Sequence, residues 1–220
     1  MTRRGSVADW VQRVFFFLVG RPFLAFFIGL RIRGREHLAG AFPFLLVANH
    51  TSHLDTLSLL SLFPLKELWR VRPVAAADYF ETTRVVSTLT RTLFNTLPIP
   101  RKNFTPETHP LKTMGDALDR GEGLILFPEG TRGMQQKGIA PFRKGAAHLI
   151  ASRPGLRVVP VHLGNMGRSL PKGEWIPVPF FCSVSVGEPL ELTGSPEEIT
   201  ARLEEAVRAL AESSRVSRPG

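Results

Sequence analysis

Asn49-His50-Thr51-Ser52-His53-Leu54-Asp55 places an imidazole five residues before a carboxylate, directly after the apolar run Phe44–Ala48. On one regular helix, residues five apart diverge by about 140° at 3.6 residues per turn. His50 and Asp55 therefore meet only if His50 lies in the turn and Asp55 in the first helical turn. There the carboxylate would bond one ring nitrogen, fix the tautomer and leave the other nitrogen to take a proton. Two further readings compete at these residues. Ser52 with Asp55 makes a helix N-terminal capping pair, and a histidine near a strand end is commonly structural. His50, His53 and Asp55 are also possible metal ligands, although the spacing lacks the His-x-Glu-x-x-His pattern.

A second constellation is Phe127-Pro128-Glu129-Gly130-Thr131-Arg132-Gly133, again directly after an apolar run. Pro128 stops a strand, and the glycines allow a tight turn and close backbone approach. Arg132 offers a planar fork suited to phosphate, against the plainer reading of a turn with a solvated arginine. Phe142-Arg143-Lys144-Gly145 follows as a second basic patch at a helix start.

These groups need elements to position them, and short β-type runs alternate with helical stretches beyond residue 40. Expected strands are Phe44–Ala48, Val71–Ala76, Leu97–Ile99, Leu124–Phe127, Val158–Leu163 and Cys182–Val186. Expected helices are Leu54–Leu62, Glu81–Phe94, Glu107–Arg120 and Lys144–Ser152. The alternation predicts an α/β fold: a single domain with a mostly parallel central sheet flanked by helices. Pro160, inside Val158-Val159-Pro160-Val161, argues for an edge or bulge position. A C-terminal helix is expected after Ser195, with Pro196 at its first position, Glu198 completing a capping box, and a stripe of Ile199, Leu203, Ala206, Val207 and Leu210.

The chain has 220 residues, 43% of them hydrophobic, enough for one large domain with a real core. Its net charge of +9 is uneven. Residues 1–35 carry seven arginines and one acid, whereas residues 187–220 carry seven acids and four bases. A lone cysteine, Cys182, excludes an internal disulfide framework and a cysteine-built zinc site.

The basic segment is also the greasiest, with six phenylalanines between Phe15 and Phe27. Its two apolar runs are separated by Arg21-Pro22, and each is short for a membrane-spanning helix of about 20 residues. A single span would put Arg21 near mid-membrane at a cost of about 2.5–3.5 kcal/mol. The expectation is an N-terminal two-helix membrane-interface element, broken at Arg21-Pro22, with arginines among anionic head groups. Residues 1–33 would form this element and 34–220 the main domain; the alternative is a helix pair packed on the protein's own core. Arg21 splits the apolar region and no Ala-x-Ala site follows, which disfavours a signal peptide. Nucleic acid is excluded as a partner, because the bases punctuate dense Phe and Leu rather than a polar or aromatic-interleaved face.

Taken in order, these residues resemble the glycerolipid acyltransferase family, of the 1-acylglycerol-3-phosphate acyltransferase type. Asn49, His50 and Asp55 match its first block, Arg101 ends its second, Phe127 to Arg132 complete its third, and Val159-Pro160-Val161 matches its fourth. The resemblance covers roughly residues 35–190. One departure stands in the second block, where Pro100 in Pro98-Ile99-Pro100-Arg101 occupies the family's acidic position; it bears on the acceptor more than on the reaction.

The resemblance implies a membrane-associated transfer of a fatty acyl group from an acyl thioester, acyl-CoA or acyl carrier protein, to a lysophospholipid hydroxyl. His50 would be the general base and Asp55 its support. Asn49, Arg101, Glu129, Gly130, Thr131, Arg132 and Lys144 would form the substrate site, with Lys102 as a further cation. Glu129 would either orient the acceptor or order its turn. The implied partners are membrane lipids, the lysophospholipid acceptor and the thioester donor, on the cytoplasmic face of the cell membrane in a peripheral or monotopic attachment. An activated thioester needs neither cofactor nor metal, and the chain has no Gly-x-Ser-x-Gly elbow. Oxyanion donors are expected from the Val159–Leu163 strand or the helix opening at Thr51. A lipid-binding pseudoenzyme and a metal-dependent lipid hydrolase are the other function classes.

Overall fold

The computed structural model describes residues 6–40, 42–77, 88, 91–131, 138–170, 174 and 176–216. Most of the expected helix Glu81–Phe94, and with it residues 132 and 133 of the second constellation, lie outside this set. Seven strands are described: β1 (Arg31–Arg33), β2 (Phe44–Ala48), β3 (Val71–Ala76), β4 (Leu97–Ile99), β5 (Gly123–Leu126), β6 (Arg157–Gly164) and β7 (Ser183–Val186). They form one sheet in the order β1-β7-β6-β2-β5-β3-β4. Strands β2 to β6 run parallel, while β7 is antiparallel to β6 and β1 follows β7. Strands β1 and β7 therefore begin at the edge where the other five end.

The central strand β2, Phe44-Leu45-Leu46-Val47-Ala48, is buried at every position, as an apolar run covered on both faces should be. Phe44, Leu46 and Ala48 face one core with α2 (Leu54–Ser61) and the N-terminal helix. Leu45 and Val47 face a second core under α3 (Pro110–Asp119), α4 (Gly145–Ala151) and, beyond the four-residue α5 (Met166–Ser169), the long α6 (Pro196–Val216). The start of α6 carries the expected capping box: Ser195 N donates to Glu198 Oε2 (2.8 Å) and Glu198 N donates to Ser195 Oγ (3.3 Å). Ile199, Leu203 and Val207 are its fully buried stripe.

Pro160 sits in an interior strand, not at an edge. Its carbonyl accepts from Gly187 N (2.9 Å), so its missing N–H faces the β7 side just past Val186, where β7 has ended. The proline thus occupies a local edge inside a full sheet.

The N-terminal segment differs from expectation more sharply. It is one continuous helix, α1 (Val7–Phe15) running on through two π-type stretches, Phe16–Gly20 and Phe23–Phe27, rather than two helices broken at Arg21-Pro22. Arg21 and Pro22 keep right-handed helical dihedrals. A wide π turn directly before Pro22 shifts the carbonyl that the proline ring would otherwise meet, so the helix continues. A capping box between Ser6 and Asp9 starts it. Phe16, Gly20, Leu24 and Ile28 are buried. A four-residue spacing drifts by about 40° per step on a pure α-helix; the wider turns remove that drift and keep the four in line. Burying Phe16, Leu24 and Ile28 is worth roughly 1.5–3 kcal/mol each.

Two of the N-terminal arginines are bound to the domain. Arg21 donates to the Phe63 carbonyl and Arg35 to the Leu62 carbonyl (2.8 Å), so both cations sit at the C-terminal end of α2, where the helix dipole is negative. Burial, then the charge of Arg35, lowers the Arg21 pKa.

Candidate active site

The end of β2 delivers Asn49 and His50, and α2 begins four residues later, so the turn between them is short. Asn49 extends β2 with its side chain. Its amide nitrogen donates to Leu163 O (3.0 Å) and its oxygen accepts from Leu163 N (2.7 Å), a backbone-like pair with β6. His50 is thereby held at a fixed point beyond the sheet.

Asp55 lies in the first turn of α2, fully buried, where the helix dipole favours a carboxylate. Its Oδ2 accepts three hydrogen bonds: from His50 Nδ1 (2.8 Å), Thr51 N (2.6 Å) and Ser52 N (2.8 Å). The capping and imidazole-holding readings thus coincide on one oxygen. Because a carboxylate only accepts, Nδ1 carries the proton and Nε2 presents its lone pair. The ring of His50 stacks on Phe127 with centroids 4.1 Å apart and planes 18° apart, and its side chain keeps 20% of its surface exposed. An imidazole locked by a carboxylate, clamped by a phenyl ring and open on its other edge is built to move a proton.

Glu129, at the C-terminal end of β5, reaches across to the same turn. Its Oε1 accepts from His50 N (2.7 Å) and its Oε2 from Ala140 N (3.1 Å). Burial raises its carboxyl above the usual range, opposed by those two backbone bonds. The carboxylate therefore ties the β2 turn, the β5 turn and the segment before α4 together. Gly130 takes φ +75°, and a Cβ there would lie 2.8 Å from the Arg143 Nε. Only glycine lets Arg143 cross so close to the turn.

Arg101 follows edge strand β4 and donates to Gly130 O (2.9 Å), which brings the expected phosphate cation to the His50–Glu129 edge from the opposite side of β5. Thr131 is exposed beside it. Lys144 is elsewhere: its ammonium pairs with Glu197 at the start of α6, in solvent. Arg132 lies outside the described residues. His53 stands at the N-cap of α2, and among the described residues no three His, Cys, Asp or Glu side chains gather as a metal-holding group.

Sequence reasoning did not single out Phe127 as the ring beneath His50, nor Arg143 as the residue covering Gly130. Both lay inside quoted motifs; their signal was an aromatic at the strand end and a second cation beside the chosen lysine. Two of the expected oxyanion donors are engaged elsewhere: Thr51 N serves Asp55 and Leu163 N serves Asn49. Asn49 and Thr51 line a cavity of about 230 Å³ with His162, Asn165 and, from α6, Arg208 and Ala211.

Known proteins share this arrangement of sequence and fold. The chain is 31% identical over 143 residues to the chloroplastic 1-acyl-sn-glycerol-3-phosphate acyltransferase of Brassica napus, covering 64% of this chain and 39% of that one. It is 32% identical over 121 residues to the 1-acyl-sn-glycerol-3-phosphate acyltransferase of Helicobacter pylori, covering 55% and 48%. The matched region thus spans less than half the length of these curated relatives. The fold is similar to that of the crystal structure of the 1-acyl-sn-glycerophosphate acyltransferase PlsC from Thermotoga maritima, with a TM-score of 0.75 at 23% identity, over 100% of this chain and 86% of that one. The model of the family described as Acyltransferase matches residues 29–164, from the end of the N-terminal helix to the end of β6, and the chain belongs to that family.

Proposed function

We propose that the protein is a membrane-associated O-acyltransferase that moves a fatty acyl group from an acyl thioester to the hydroxyl of 1-acylglycerol-3-phosphate, giving phosphatidic acid. The observation that carries this reading is the His50 Nδ1–Asp55 Oδ2 hydrogen bond, on a carboxylate held by two backbone N–H groups. His50 Nε2 takes the proton of the acceptor hydroxyl as its oxygen attacks the thioester carbonyl. The tetrahedral intermediate collapses, the carbon–sulfur bond breaks, an ester bond has formed, and the proton passes from Nε2 to the departing sulfur. Asp55 stabilises the imidazolium between these steps, and general-base assistance of this kind contributes roughly 10²–10⁴-fold. Arg101 and Arg132 bind the acceptor phosphate, while Glu129 holds the His50 turn. The donor is a CoA or carrier-protein thioester.

The N-terminal helix docks on the cytoplasmic face of the membrane, where such thioesters are available. Its segment Val7–Phe27 is long and apolar enough to cross a bilayer, yet one flank is committed to the domain through Phe16, Gly20, Leu24 and Arg21. The opposite flank exposes Trp10, Phe17, Leu18 and Phe26, which supports a helix lying in the interface.

The test is thiol release from acyl-CoA and from acyl carrier protein thioester, with a panel of lysolipid acceptors and mass spectrometry of the products. Phosphatidic acid formed in preference to other products is the expected result. Binding of lysolipids without thiol release overturns the reading in favour of a lipid-binding protein.

A further inference from the structure

The segment Ile176-Pro177-Val178-Pro179-Phe180-Phe181 leads into β7 and is accounted for neither by the catalytic reading nor by the N-terminal helix. Ile176, Val178 and Phe181 are 80%, 55% and 70% exposed. Scattered exposed apolar residues are ordinary, but three within six positions make a patch. Part of its backbone is bound within the protein. Pro177 and Pro179 have no N–H. Val178 N donates to Ser169 O (2.8 Å), and Val178 O accepts from Ser169 Oγ (2.7 Å). The carbonyls of Phe181 and Cys182 accept from Asn165 Nδ2 (3.0 Å) and Arg31 N (2.9 Å). A backbone bound in part from within, under side chains turned out, suits the boundary between head groups and acyl chains, where water still reaches the rest.

The patch is continuous with the N-terminal helix. Gly29, just past the helix end, lies against Phe181 so closely that a Cβ would sit 2.9 Å from its ring. The Arg31 guanidinium lies 5.4 Å from the Phe181 ring centre, and the Arg168 guanidinium 4.2 Å from that of Phe180. Each cation flanks an apolar tip, the arrangement by which arginines reach anionic head groups while their neighbours enter the apolar layer. Topology sets the direction. Since β1 and β7 start where β2, β5 and β6 end, the patch and the helix end lie on the sheet edge that carries His50, Glu129 and Arg101.

We propose that Ile176–Phe181 is a second membrane-contacting element, which enters an anionic phospholipid surface beside the N-terminal helix and, with it, faces the catalytic edge of the sheet toward the bilayer. This rests on the interfacial reading of the helix given above. Through Ser169 and Leu170, whose carbonyl accepts from Ser52 Oγ (2.9 Å), the patch is joined to the turn that carries Asp55.

The test is sedimentation of the full chain with vesicles of equal parts phosphatidylcholine and phosphatidylglycerol. Two double variants are compared: Ile176→Asp with Phe181→Asp, and Trp10→Asp with Phe26→Asp. Removing each buried apolar side chain weakens binding by about tenfold or more, so the loop variant is expected to lose about a hundredfold. Wild-type affinity in the loop variant, with loss in the helix variant, overturns the second element and leaves the helix reading standing. Loss in the loop variant with wild-type affinity in the helix variant supports the loop and overturns the helix reading. Should the loop variant fail to fold, a nitroxide attached at Ile176→Cys decides. Protection from a water-soluble relaxant on adding vesicles supports the proposal, and unchanged accessibility overturns it.

Discussion

Replacing Asp55 by Asn separates the two duties that Oδ2 performs. The amide oxygen can still accept from Thr51 N and Ser52 N, so the start of α2 keeps both bonds. Charge-assisted bonds are roughly twice as strong as neutral ones, but removing a fully buried charge also lifts its desolvation cost. The net change in stability is expected to be about 1 kcal/mol, a shift of about 2–4 °C in Tm. Chemistry suffers far more. The same amide oxygen can also keep the bond from His50 Nδ1, but it carries no charge to stabilise the imidazolium that forms when Nε2 takes the proton. Without that support kcat should fall by at least about 10². Asp55→Ala, by contrast, leaves two buried N–H groups without an acceptor at about 1–3 kcal/mol each, so it should lose both stability and activity. Thiol release and thermal melting on the two variants read these effects separately. Asp55→Asn with turnover within a fewfold of the parent would refute the reasoning.

Three further outcomes follow from the same geometry. Arg101→Ala should raise KM for a phosphate-bearing acceptor by about 10–100-fold with a smaller effect on kcat, as loss of one charge-assisted bond would; an unchanged KM counts against its phosphate role. Glu129→Gln loses one of two backbone acceptors and should cost about 1–2 kcal/mol. Because burial raises the native Glu129 pKa, the contribution of its neutral form is present at low pH and is lost as pH rises through the raised value; urea titrations should show this slope vanish in Glu129→Gln. Burial, then the charge of Asp55, pushes the Cys182 thiol up to about 12 from 9.0, so its stabilising contribution is lost between about pH 9 and 12. With a thiolate fraction about a thousandfold lower than an exposed thiol's, Cys182 should resist alkylation at pH 8 until the chain unfolds; rapid labelling of the native protein would contradict its burial.

The sheet was largely legible because its strands are apolar runs buried on both faces, and periodicity finds such runs. Strand β1 was not, since Arg31-Ile32-Arg33 is three residues long, exposed throughout and two-thirds charged. The single N-terminal helix was hidden by Pro22, whose helix-breaking effect is cancelled by a π turn that no residue pattern announces. At the site, His50 and Asp55 could be read from spacing, because five residues across a strand–helix turn bring them together. What side chains do across the fold could not. Lys144 and Arg143 are equivalent in sequence, yet α6 supplies Glu197 to take the first, and Gly130 leaves room for the second. Arg21 and Arg35 looked like membrane cations until α2 placed its C-terminal carbonyls beside them.

The most direct measurement of the central claim is the single-turnover rate of product formation by His50→Ala, followed by mass spectrometry with labelled acyl thioester and lysophosphatidic acid. Removal of the base should lower that rate by at least about 10² in a protein that melts like its parent. Phosphatidic acid formed at the parental rate by a folded His50→Ala protein would contradict the account.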